Sequence, residues 1–181
     1  MSELGCVTGR FQPIHHQHLE LFDIALQSCE HLVIAITNPD SGARREELSS
    51  PHRHTSAANP FTYFERVTLL RAALSERGIE ARTTVVPFDL TRRAHWPEYV
   101  PLRARHVVRA YSDWERQKAA WFRDAGYRVT VIDGDPATKL CASDIRQLLT
   151  DNSGRWRESV PKAAIPVLQQ LLSVTSMKER L

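Results

Sequence analysis

Leu4-Gly5-Cys6-Val7-Thr8-Gly9-Arg10-Phe11-Gln12-Pro13-Ile14-His15-His16-Gln17-His18 decides how the rest of the chain is read. Leu4 to Thr8 is a short apolar run that stops at a glycine, as a buried strand does where the backbone must turn tightly. Three histidines in four positions follow, and from His18 the residues Leu19, Phe22, Leu26 and Cys29 recur at helical spacing. The pattern predicts a strand, a tight loop and an amphipathic helix over residues 18–29. A helix N-terminus carries positive potential and free N–H groups, so an anion is welcome in such a loop. Imidazoles beside it can donate to phosphate oxygens, and a bound anion favours their charged forms. Two other readings stay open from these residues alone. In one, a single histidine satisfies a backbone group while the others face solvent. In the other, His15, His16 and His18 hold a transition metal, although no cysteine or carboxylate lies near in sequence to complete the set.

The same alternation continues downstream. His31–Thr37 (HLVIAIT), Thr83–Phe88, Arg105–Tyr111 and Tyr127–Asp133 are further strand candidates. Between them, Thr62 with Glu65 makes a capping box for a helix that Gly78 ends. Ser112 with Glu115 does the same for a helix that ends at Gly126. Ser143 or Asp144 opens a helix to about Leu149, and a last one covers roughly 162–173. Residues 89–104 look irregular, and the polar stretch from Asn38 to Pro60 reads as the longest loop. Strands that are continuous apolar runs, alternating with helices, predict an α/β fold. We expect a Rossmann-like, doubly wound parallel sheet of about five strands with helices on both faces. Ligands of such sheets sit at the carboxyl ends of strands, which directs attention to the ends of strands one, two, three and five.

The chain has 181 residues, enough for one domain over 1–150 with a helical extension over 151–181 packed on it. Its composition (42% hydrophobic, 25% charged) excludes disorder and fibrous classes, and no apolar run is long enough to span a membrane. A net charge of +3 gives no argument for nucleic acid as a partner. The basic residues are 20 Arg against 4 Lys, which suits planar recognition of phosphate or carboxylate as well as a G+C-rich genome. Cys6, Cys29 and Cys141 are odd in number and widely spaced, so reduced thiols and a cytoplasmic location are expected. The N-terminal residues lack a signal-peptide pattern. Ile165, Val167, Leu168 and Leu171 leave a homo-oligomer open, since they can pack on the domain or on another chain.

Gly9-Arg10-Phe11-Gln12-Pro13-Ile14-His15-His16-Gln17-His18 resembles the GRFQPxHxGH signature of nucleotidyltransferases with an HxGH motif, with Gln17 where the motif has glycine. A side chain there crowds the base or sugar of a nucleotide. Leu140-Cys141-Ala142-Ser143-Asp144-Ile145-Arg146 resembles the family's ISGTxIR-like segment, keeping the hydroxyl and the guanidinium but not the Ser-Gly pair before them. Asn59-Pro60-Phe61-Thr62 with Glu65-Arg66 resembles the NPFTxxER segment of archaeal-type nicotinamide-mononucleotide adenylyltransferases. Asp89 and Trp96 match an Asp…Trp pattern of the same enzymes, with Arg93 in place of an asparagine. The resemblance spans about residues 4–150.

It implies transfer of a nucleoside monophosphate from CTP or ATP to a phosphate or phosphonate, with release of pyrophosphate. The implied catalytic residues are His15, His18, Arg10 and Arg146. Gly9, Phe11, Gln12, Gln17, Asp133 and Ser143 are implied for the nucleotide. Thr37, Asn38, Arg66, Asp89, Arg93 and Trp96 are implied for a small anionic acceptor. Arg66 supports this on physical grounds, because a cation in a helix's first turn is disfavoured unless an anion is near. Mg²⁺ is expected to ride on the triphosphate without a dedicated protein site. Arg93, Gln17 and the basic loop (Arg44, Arg45, His52, Arg53, His54) favour CTP and a small phosphonate. The NPFTxxER segment and Trp96 favour ATP and nicotinamide mononucleotide. A non-catalytic nucleotide-binding module is the reading from another class, and it predicts a damaged histidine pair, which is not seen.

Overall fold

The computed structural model describes residues 3–46, 54–174, 177 and 179–181. Five strands form one parallel sheet: β1 (Leu4–Gly9), β2 (His31–Thr37), β3 (Thr83–Phe88), β4 (Arg105–Ala110) and β5 (Arg128–Asp133). Among the described residues six α-helices accompany them: α1 (His16–Leu26), α2 (Tyr63–Glu76), the single turn α3 (Trp96–Tyr99), α4 (Asp113–Asp124), α5 (Ala142–Thr150) and α6 (Ala164–Leu172). The fold class is as expected from the sequence. No described helix is long and apolar enough to cross a membrane.

Side-chain period explains the two layers. On β2, Leu32, Ile34 and Ile36 join one apolar cluster while Val33 and Ala35 join the other. On β1, Val7 and Cys6 divide in the same way. The first cluster gathers Phe22 of α1, Leu70 of α2, Ile145 of α5 and Leu168 of α6. It also takes Trp156, Val160 and Met177, so the residues after 150 share the core of the main domain. The second cluster gathers Phe88, Trp96, Phe122 and Tyr127.

Strand order is β3-β2-β1-β4-β5. The chain winds outward from β1 to β3, returns beside β1 as β4 and winds outward again. The reversal therefore falls between β1 and β4. Those strands pair through Gly5–Arg105 and Cys6–His106, at their amino-terminal halves, whereas β1 and β2 pair at six positions. The carboxyl ends of β1 and β4 thus border a crevice, the place where open α/β sheets bind ligands.

His106 lies in the second cluster, fully buried, stacked on Phe122 at 4.0 Å and edge-on to Tyr127 at 4.6 Å. Neither ring nitrogen has a partner among the described residues. Burial, with Lys118 adding to it, lowers its pKa from 6.5 to about 3, so the folded ring is neutral. An unfolded histidine takes up a proton near pH 6.5, so the stabilisation from this group is complete above that pH. It is lost progressively as pH falls towards 3. His106→Phe is expected to change in stability relative to wild type by about 2 kcal/mol in its favour between pH 7.5 and pH 5. Urea denaturation at the two pH values measures this. An identical difference at both would show that His106 does not contribute to acid sensitivity.

Candidate active site

β1 ends at Gly9, where a Cβ would sit 2.8 Å from the Phe11 ring, so the absence of a side chain lets the loop fold back on itself. Phe11 has φ +50° and is buried between His18, edge-on at 4.8 Å, and Phe22 at 5.8 Å. It forms a wall of the site. α1 begins at His16, earlier than the apolar spacing indicated, because His15 is extended (φ −145°) and occupies the N-cap. His15 N–H donates to His18 Nδ1 at 3.1 Å, and the two rings stack at 3.6 Å between centroids. A Nδ1 that accepts a hydrogen bond leaves the proton of a neutral imidazole on Nε2. His18 is thereby fixed as an Nε2–H donor. Burial, with His16 adding to it, lowers the His15 pKa to about 3. Burial lowers His18 too, with His15, Lys118 and Arg109 adding to it. Both rings are neutral in the free protein, before any anion is bound.

The crevice between β1 and β4 is a cavity of about 530 Å³. Gly9, Arg10, Phe11, Gln12, His15, Gln17, His18, Ser143 and Arg146 all border it. Arg146 donates to the Gln12 carbonyl at 2.9 Å, and burial lowers its pKa. α5 starts at Ala142 with Cys141 at the N-cap, so Ser143 lies in the first turn and is not the cap. Ala142 and Ser143, the first residues of α5, border the same cavity, and the start of a helix favours an anion. A second recess of about 30 Å³ lies beside it, bordered by Arg10, Thr37, Asn38, Ala43, Arg45, Leu90, Thr91 and Trp114. Arg10 and Trp114 border both spaces.

Several expected ligand residues are used elsewhere in the fold. Arg66 is 1% exposed and all five of its N–H donors meet main-chain carbonyls: Thr62, Arg10, Thr37, Asn38 and Pro39, at 2.8–3.3 Å. The negative partner that its position demands is a cluster of carbonyls at the ends of β1 and β2, not a phosphate. Trp96 is equally buried, stacks on Phe88 at 5.4 Å and donates through its indole N–H to the Asp89 carbonyl at 2.8 Å. The Asp89 carboxylate accepts from Thr91 N–H and hydroxyl and so closes a turn. Arg93 stands over the Trp121 ring at 5.1 Å, away from both spaces. Asp133 pairs with Arg116 at 2.9 Å on the surface. The Gln12 carboxamide exchanges two hydrogen bonds with the main chain of Phe61, which pins the Asn59–Thr62 segment to the loop after β1. The buried side chains of Arg66 and Trp96 and the Gln12 carboxamide are therefore committed within the fold, which corrects the acceptor roles of the first two and the nucleotide role of the third, whereas Asp89, Arg93 and Asp133 make contacts nearer the surface. Of the basic loop, His52 and Arg53 lie outside the described residues.

Sequence reasoning passed over the end of β4. Tyr111, Ser112, Glu115 and Lys118 border the large cavity, joined by Lys139. Burial pushes the Glu115 carboxyl up, but hydrogen bonds from Ser112 and Lys139, with the charges of Lys139 and Lys118, outweigh it and leave the pKa lowered. No trio of His, Cys, Asp or Glu among the described residues is arranged to hold a metal. The groups facing the cavity are mainly donors, which suits an anion carrying its own cation.

Residues 6–166 match the cytidylyltransferase-like family. The chain belongs to that family. Phosphonoformate cytidylyltransferase of Streptomyces viridochromogenes is 32% identical over 167 residues, 92% of this chain and 90% of that one. Nicotinamide-nucleotide adenylyltransferase of Thermococcus onnurineus is 28% identical over 179 residues, 98% of this chain and 88% of that one. A bifunctional nicotinamide-mononucleotide adenylyltransferase/ADP-ribose pyrophosphatase from Francisella tularensis superposes with a TM-score of 0.71 at 16% identity. That superposition covers 99% of this chain but only 52% of the bifunctional one, and it speaks for the fold alone. Like its relatives, this cytidylyltransferase-like chain is a nucleotidyltransferase.

Proposed function

We propose that the chain transfers a cytidylyl group from CTP to a small phosphonate or phosphate and releases pyrophosphate. The observation that carries this reading is the acceptor side of the site. With Arg66 and Trp96 built into the core, what remains beside Arg10 is a small recess bordered by Arg10 and Arg45, whose two guanidinium groups favour an anionic acceptor. The similarity to a phosphonoformate cytidylyltransferase supports the same choice.

An acceptor oxygen, already anionic, attacks the α-phosphorus. The bond from that phosphorus to the bridging oxygen of the β-phosphate breaks, and the electron pair leaves with pyrophosphate. No base is needed. The protein's work is to hold two anions together and to stabilise charge moving onto the leaving group. In this reading His18 Nε2–H and His15 meet phosphate oxygens at the transition state. Arg146, Ser143 and the start of α5 hold the β,γ end. Arg10, on the border of both spaces, bridges donor and acceptor. Mg²⁺ on the triphosphate supplies further charge neutralisation. Three free cysteines accord with a cytoplasmic setting.

ATP-dependent transfer to nicotinamide mononucleotide is the second reading, favoured by relatives that match over nearly the whole chain. Pyrophosphate release with Mg²⁺, CTP or ATP, and a panel of short phosphonates plus nicotinamide mononucleotide separates the two. CTP with a short phosphonate is the expected productive pair. Release with ATP and nicotinamide mononucleotide, and not with CTP, would overturn the proposal in favour of the second reading.

A further inference from the structure

Gln17 stands in the first turn of α1, between the histidine end of the large cavity and its Tyr111 end. Its carboxamide bridges α1 to the segment before α5. Nε2 donates to the Thr138 carbonyl at 2.7 Å, while Oε1 accepts from Leu140 N–H at 2.8 Å and from the Tyr111 hydroxyl at 3.2 Å. The Tyr111 ring packs closely on Gly134, where a Cβ would lie 2.5 Å from it. Lys139 stands over the ring, with Nζ 5.1 Å from its centroid.

The chemistry of the bridge is informative. A main-chain carbonyl and an N–H two residues on make an acceptor–donor pair, the pair that reads an amino group beside a ring nitrogen. A carboxamide offers the same donor and acceptor as that base edge. A nucleobase whose edge reached Thr138 and Leu140 would have to displace Gln17 from them. With no side chain at position 17, both main-chain groups would be open to a ligand. A purine carries its amino edge one ring further from the sugar than a pyrimidine does, so a purine is the base that runs into the bridge.

We propose that Gln17, braced by Tyr111, is a donor-specificity residue that confines the nucleoside end of the cavity to a one-ring base. This deepens the cytidylyl-transfer reading and rests on it. The experiment compares wild type with Gln17→Gly and Gln17→Ala. It reads kcat/KM for CTP and for ATP with one phosphonate acceptor, and the binding of each triphosphate by calorimetry without acceptor. Wild type is expected to prefer CTP. Both variants are expected to raise the ATP-to-CTP ratio by about tenfold or more, in catalysis and in binding alike. Alanine keeps a good helix former in the first turn of α1, so it carries the test if the glycine variant does not fold. A wild type that prefers CTP and variants with an unchanged ratio would overturn the role of Gln17 while leaving cytidylyl transfer intact. A wild type that prefers ATP would overturn the cytidylyl reading itself, and the one-ring limit with it, before any variant is compared.

Discussion

His18→Asn is expected to lower turnover by about 10²- to 10³-fold while leaving the fold in place, because in the proposed mechanism it removes one donor to the reacting phosphates. The choice of asparagine follows from how His18 is held. Its Nδ1 accepts the His15 N–H at 3.1 Å, which caps α1, and its Nε2 is left to donate into the cavity. An asparagine oxygen lies about where Nδ1 does, so the cap survives and the Nε2 donor does not. Glutamine reaches further and places an N–H near the lost Nε2 position, so His18→Gln is expected to recover part of the rate. Both histidines are neutral in the free protein, His15 with a pKa of about 3 and His18 well below its ordinary value. For that reason kcat/KM is not expected to show an acid limb near pH 6.5 from this pair. Steady-state pyrophosphate release across pH 5.5–8.5 measures both effects. Turnover within threefold of wild type for His18→Asn would remove His18 from the reacting centre.

The central strands β1 and β2 were legible because each is a nearly unbroken apolar run buried on both faces, and the flanking strands because short apolar stretches (Val85-Val86, Val107-Val108, Val131-Ile132) recur between capped helices. The turns at Gly78 (φ +70°) and Gly126 (φ +90°) were legible because few other residues tolerate those angles. Strand order was not legible. Nothing local in Arg105–Ala110 says that it returns beside β1, and without that the end of β4 drew no attention. Tyr111, Ser112, Glu115 and Lys118 were missed for this reason. Their signal was present as an unusually polar stretch directly after a strand, but it matters only once that strand borders the crevice. Trp96 shows a different limit. The large aromatic is needed by the second apolar cluster, and its indole N–H finds a carbonyl there, so the residue type suits core and ligand site equally. Gln17 was legible as a departure, whereas its three partners come from elements about 100 residues away in sequence and appear only in the fold.

Arg66 separates a correct inference from a wrong one, and it leads to the largest expected loss of stability. A cation in the first turn of α2 does need a negative partner, and it has one in five carbonyl oxygens. Sequence cannot tell a bound phosphate from a ring of carbonyls, since both attract the same fork of N–H donors. Burial, with Arg44 adding to it, lowers the Arg66 pKa to about 10, which still leaves the side chain charged near neutrality. Arg66→Met keeps much of the volume and removes every donor, leaving the carbonyls of Arg10, Thr37, Asn38 and Pro39 without it. The expected cost is about 3–5 kcal/mol, because several buried carbonyls lose their donor at about 1–3 kcal/mol each and water recovers part of that. Arg66→Lys keeps the charge but offers a point donor in place of a planar fork, so an intermediate loss is expected. Because three of those carbonyls, of Arg10, Thr37 and Asn38, belong to residues around the small recess, KM for the acceptor is expected to rise more than KM for the donor in the lysine variant. Urea denaturation and steady-state kinetics test the two statements separately. A methionine variant within about 1 kcal/mol of wild type would show that water replaces the guanidinium. A lysine variant whose donor KM rises more than its acceptor KM would place Arg66's influence on the nucleotide side, against the geometry described above.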